Sequence, residues 1–136
     1  MFGLKWLVDH GALPKERLEE YYASYVAGIF RTLRFGTAEA HGRAEMMEFN
    51  YLSERKAITL DAATKRYAVN FDRMPDALAA LAKELLEIEA TGDRSRAENW
   101  FNKYDVMPRQ LADLLAKNND VPIDIDPVFS FPEPIE

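Results

Sequence analysis

The stretch Leu18-Glu19-Glu20-Tyr21-Tyr22-Ala23-Ser24-Tyr25-Val26-Ala27-Gly28-Ile29-Phe30-Arg31-Thr32-Leu33 decides the fold class. Leu18, Tyr22, Tyr25, Ile29 and Leu33 recur at steps of four, three, four and four, and Tyr21, Val26 and Phe30 widen the stripe. Apolar side chains at that spacing share one face of an α-helix and turn it toward a core. Pro14 suits the first helical position and Gly36 ends the segment. The aromatic set Tyr21, Tyr22, Tyr25 and Phe30 reads as core or interface.

Working outward, Phe2, Trp6 and Leu7 recur at helical spacing, and Gly11 with Pro14 forms a stop and a restart, so a first helix ends near His10. That helix reads as the last turns of one whose beginning lies elsewhere. Downstream, Thr37 is expected to cap a helix over Ala38 to Glu54. Ile58-Thr59-Leu60 and Tyr67-Ala68-Val69 flank the polar segment Asp61 to Arg66, which predicts a small β-hairpin. Two strands alone are marginal, so the hairpin must lean on helices. Asp72 and Pro75 open a helix with Leu78, Leu81, Leu85 and Ile88 on its apolar face, ending at Gly92. Asp93 caps a shorter helix through Trp100 to Lys103, and Pro108 starts another containing Leu111, Leu114 and Leu115.

The expected architecture is therefore mainly α. It comprises a bundle-like domain of four to five helices with one small β-hairpin over residues 1–120, then an extended Pro-rich tail over 121–136. Pro122, Pro127, Pro132 and Pro134 bar helix and central strand there. Val121, Ile123, Ile125, Val128 and Phe129 are too apolar for a free linker, so the tail is expected to pack on the domain or on a missing lobe.

Composition narrows the function. The chain has 136 residues, 48% hydrophobic and 29% charged, which suits one folded domain. A formal net charge of −6 supplies no footprint for phosphate backbones or anionic lipid, so neither nucleic acid nor membrane is an expected partner. The absence of cysteine removes disulfides, thiolate metal sites and thiol nucleophiles, and fits a reducing cytoplasm. The longest apolar stretch, Tyr21 to Phe30, falls well short of the roughly 20 residues needed to span a bilayer. The first eight residues lack the run and cleavage site of a signal peptide.

Chemistry-bearing residues are sparse. The two histidines, His10 and His41, cannot build a histidine cage. His41 precedes Gly42 early in a predicted helix, where glycine costs about 1 kcal/mol relative to alanine. Either another backbone or a ligand comes close beside the imidazole, or helices pack tightly there under a surface histidine. Glu45 shares a helix face with His41, yet two ligands do not complete a zinc site. Ser24 and Ser53 lack a paired base, and the glycines are too scattered for a phosphate loop. Arg31, Arg34 and Arg43 can hold a carboxylate or pair with Glu39 and Glu45.

Taken together, Tyr22-Ala23-Ser24-Tyr25-Val26-Ala27-Gly28, Phe30-Arg31-Thr32-Leu33-Arg34-Phe35-Gly36, Glu39-Ala40-His41-Gly42-Arg43 and Phe49-Asn50-Tyr51-Leu52 form an ordered set of segments. Leu85-Leu86-Glu87-Ile88-Glu89-Ala90-Thr91-Gly92-Asp93 and Val121-Pro122-Ile123-Asp124-Ile125-Asp126-Pro127-Val128-Phe129 continue it. The set resembles the C-terminal part of the dipeptidyl peptidase III family of zinc metallopeptidases, especially its bacterial branch. Some plant and bacterial members carry a Nudix hydrolase domain ahead of the peptidase region; no Nudix box occurs here.

The resemblance implies a piece of a two-lobed enzyme that removes dipeptides from peptide N-termini. The family's zinc sits on a His-Glu-x-x-x-His helix and a glutamate of a following helix, neither found in these residues. This chain is thus expected to hold no metal or other cofactor and to be inactive alone. Its partners are then the remainder of the parent polypeptide and, in that parent, the peptide substrate. His41 occupies the position of the family histidine that hydrogen-bonds the scissile carbonyl, the placed donor of oxyanion-type stabilisation. Eukaryotic members carry an arginine four positions after that histidine, whereas Glu45 stands at that spacing here. Arg43 is the substrate-binding candidate on that weaker footing. The rival expectation is a non-enzymatic helical interaction or scaffold domain, docking through the aromatic helix and the tail.

Overall fold

A helix enclosed on two sides organises the molecule. The computed structural model describes residues 1–118, 120–125 and 127–130. Their elements are α1 (Phe2–Asp9), α2 (Leu18–Leu33), α3 (Ala40–Glu54), β1 (Ile58–Leu60), β2 (Tyr67–Val69), α4 (Met74–Thr91), α5 (Arg94–Tyr104) and α6 (Arg109–Ala116). The chain is mainly α with one antiparallel hairpin, as expected, although it carries six α-helices among the described residues rather than four or five. No helix in them is long and apolar enough to cross a membrane.

The stripe on α2 buries Tyr22, Val26, Ile29 and Leu33, while Leu18, Tyr25 and Phe30 are half-buried at its margins. Opposite it, α3 contributes Met46, Phe49 and Leu52 to one cluster with Ile58 of β1, Met74, Ala77 and Leu78 of α4, and Leu111 of α6. The other side of α3 presents Met47 and Tyr51 to Leu81, Trp100 and Tyr104 of α4 and α5. Tyr51 lies 5.2 Å from the Tyr104 ring and 6.2 Å from that of Trp100. Such tilted pairs contribute beyond the area they bury.

The hairpin pairs Ile58 with Val69, Thr59 with Ala68 and Leu60 with Tyr67. Its turn closes because the Asp61 carboxylate accepts the Ala63 and Thr64 N–H groups, each at 2.8 Å. It leans on the helices as two strands must: the Tyr67 ring sits 5.4 Å from both Phe30 of α2 and Phe49 of α3.

Several boundaries differ from the sequence expectation. Pro14 is extended (φ −61°, ψ 122°), and a 3-10 turn over Lys15–Arg17 separates it from α2. The Arg17 N–H reaches the Pro14 carbonyl at 3.3 Å, the tighter i,i+3 closure. Thr37 does not cap α3. The cap position is Glu39 (φ −89°, ψ 152°), whose side chain makes no capping bond, because residues 36–39 fold back along the first turn. Gly92 (φ 61°) ends α4, and Asp93 accepts the Arg96 N–H at 2.9 Å to start α5, both as expected. Leu85 leaves the apolar face of α4, 39% exposed, and Phe2, Trp6 and Leu7 of α1 point outward while Val8 is buried.

Residues 120–125 and 127–130 form neither helix nor strand. Arg34 donates to the carbonyls of Asn118, at 2.8 Å, and Val121, and Arg31 lies 3.7 Å from Asp124. Ile125 and Val128 are exposed. Pro132 and Pro134 of the expected tail lie outside the described residues.

Candidate functional site at the start of α3

Backbone geometry sets the first turn of α3 before any side chain does. Gly36 adopts φ +94°, a conformation L side chains rarely take. Its carbonyl then lies where a Cβ on Gly42 would meet it at 2.0 Å, with the Thr37 Cα at 3.3 Å. Gly42 is therefore explained by close approach of another backbone, from the same chain, rather than by a ligand. His41, one residue earlier, is thereby carried on the outside of the turn, exposed.

Arg43 is engaged by Asp105, the residue that closes α5. Its Nε donates to Asp105 at 3.0 Å and its Nη2 to the same carboxylate oxygen. That charge-assisted hydrogen bond, joined by the attraction of Asp105, raises the guanidinium pKa above its already high ordinary value. Asn50, two turns on, donates at 2.7 Å to the Tyr104 carbonyl and at 2.7 Å to that of Val106. These bonds fasten the α5–α6 connection to α3. Arg31, Arg34 and Arg43 each have a different partner, so no shared carboxylate clamp is formed by the three.

A small polar cluster occupies the same face as His41. Glu45 follows one turn later and Glu48 another turn on. The Tyr25 hydroxyl of α2 donates to Glu48. Burial, then the Glu48 charge, pushes the tyrosine upward. The Glu45 carboxyl is also raised above the usual carboxylate value, first by burial and then by Glu48, with the Met1 ammonium and His41 opposing. One of its oxygens, Oε2, is buried with no hydrogen-bond partner. The sequence paired Glu45 with His41 by spacing but missed Glu48 and Tyr25. The available signal was a tyrosine hydroxyl inside an otherwise apolar stripe, which demands an acceptor.

Among the described residues no three His, Cys, Asp or Glu side chains converge as metal ligands. His41 and Glu45 on one helix face therefore do not by themselves fit zinc. The hollow beside Ser53, about 440 Å³, is lined by Asn50, Lys56, Ile58, Tyr67 and others, and the Ser53 Oγ is buried with no hydrogen-bond partner, so no base engages that serine.

The chain superposes on a structure of dipeptidyl peptidase III from Caldithrix abyssi with a TM-score of 0.90, at 37% identity over 94% of its length. The chain is a dipeptidyl peptidase III-like region. A second structure, of dipeptidyl-peptidase III from Corallococcus sp. strain EGB, gives a TM-score of 0.85 and 33% identity over 93% of the chain. The chain spans 24% of each of those chains. It is also 36% identical, over 98% of its length, to Nudix hydrolase 3 from Arabidopsis thaliana, of which it spans 17%. No protein-family model matches it.

Proposed function

We propose that this chain forms part of the helical lobe of a dipeptidyl peptidase III-like zinc peptidase that removes dipeptides from peptide N-termini in the cytoplasm. The observation that carries the reading is near-complete superposition, at 37% identity, on one quarter of such a peptidase. On this reading His41 is the donor to the scissile carbonyl, the role the resemblance gives it; its exposed ring, on a turn held by Gly42 and the Gly36 carbonyl, is free of competing packing. A placed donor of this kind strengthens its hydrogen bond as charge builds on the oxygen in the transition state. On this reading any zinc of the longer enzyme is held by residues outside this chain, as the resemblance implies; among the described residues no three His, Asp or Glu side chains converge as ligands. Arg43, occupied by Asp105, supports the site by tying α3 to the end of α5.

The partner is then the rest of the peptidase polypeptide. Phe2 and Trp6 of α1 and Leu86 of α4 are 49%, 53% and 62% exposed and offer apolar surface to such a partner. A scaffold role without chemistry draws on the same surface. Zinc titration and a dipeptide-release assay on the isolated chain test the proposal. The expected result is no hydrolysis and no tight zinc binding; turnover by these residues alone would contradict it.

A further inference from the structure

Glu45 Oε2 is buried without a donor, and a buried acceptor left unmade costs on the order of 1–3 kcal/mol. The neighbouring groups narrow what can supply one. On α3 itself, Glu48 is an acceptor already taken by Tyr25 of α2. Arg43 is committed to Asp105. The Met1 ammonium, at the start of α1, and His41, on α3 itself, both act on Glu45 by charge, the ammonium the more strongly. Of the two, His41 shares the helix. It lies one turn before Glu45, its side chain is exposed, and whether neutral or protonated it carries at least one ring N–H.

We infer that Glu45 is the positioning residue for His41: its buried carboxylate oxygen takes one ring N–H and leaves the other nitrogen facing outward. The hydrogen bond made by one imidazole nitrogen fixes the tautomer and the direction of the other. The outward nitrogen, once protonated, is the donor that the proposed carbonyl contact requires, and the inference rests on that reading for its functional meaning. Without such a partner an exposed imidazole one residue into a helix samples several rotamers, and a donor that wanders stabilises a transition state poorly.

The test is ¹⁵N–¹H spectroscopy of the histidine rings in the intact 136-residue chain at pH about 8, above the ordinary imidazole value of roughly 6.5. The expected result is one His41 nitrogen bearing the proton throughout, with that bias kept in Glu45→Gln, which retains an acceptor, and lost several-fold in Glu45→Leu. His10, whose Nδ1 sits 2.8 Å from the Trp6 carbonyl, is the internal reference for a fixed ring. A mixed-tautomer His41 in the unaltered chain overturns the inference, whether or not the leucine variant folds. So does an unchanged bias in a folded Glu45→Leu chain. The spectra are blind to peptide cleavage, so their failure leaves the catalytic reading of His41 standing, and a catalytically silent His41 leaves the spectral result standing.

Discussion

From Met46 to Leu52, α3 is enclosed by apolar side chains of α2, α4, α5, α6 and the hairpin, whereas its first turn meets the rest of the chain through the Gly36 carbonyl and the Arg43–Asp105 pair. The enclosed half is fixed by many weak contacts whose loss opens a cavity. The first turn is fixed by excluded volume and a few directed polar bonds. A rigid helix can thus present an open, chemically usable end while its stability is generated elsewhere.

That contrast breaks most visibly at Phe49. Phe49→Ala is expected to destabilise the fold by about 3–5 kcal/mol, read as a lower urea midpoint, because the ring is fully buried against Phe30 and Tyr67. Gly42→Ala follows at about 1–3 kcal/mol, since the new methyl meets a backbone carbonyl rather than a pliable side chain. Its signature is local: faster amide exchange across residues 36–43 with the hairpin and α5 unchanged. Equal loosening of both halves would erase the distinction between them.

Much of the enclosed half was legible in the sequence. The α2 stripe has a clean helical period, and Gly92-Asp93 carries both the left-handed stop and the cap that divide α4 from α5. The central place of α3 was not legible. Met46, Met47, Phe49, Tyr51 and Leu52 are all buried, and a helix covered on two sides loses the one-sided period that announces a face. Nor could spacing reveal the Gly36 carbonyl against Gly42 or the Tyr25–Glu48 bond, which depend on how separate elements meet. His41 itself came from family resemblance; geometry supplies the reason its turn is held.

Smaller effects sharpen the comparison. Glu45 has a folded-state pKa raised by burial, so the folded chain binds the proton more tightly than the unfolded one. Its contribution is complete below the ordinary carboxylate range and lost as pH rises through the raised value. Glu45→Gln is therefore expected to flatten the decline in stability across mildly acidic to neutral pH, measured by urea unfolding at several pH values. Near pH 3, below the ordinary value of roughly 4.3, it should match the parent slope. Smallest is Lys56, which closes α3 at φ 62° with the Ala57 N–H on the Leu52 carbonyl at 2.9 Å. Lys56→Gly relieves that left-handed backbone and is expected to stabilise by about 0.5–1 kcal/mol in the same unfolding assay.

The central claim is that the first turn of α3 exists to hold His41 toward a substrate carbonyl in a longer peptidase. Steady-state kinetics of His41→Ala in the full-length enzyme containing this region test it most directly. The account predicts a fall in kcat of about tenfold or more with zinc content unchanged; an unaltered kcat would contradict it.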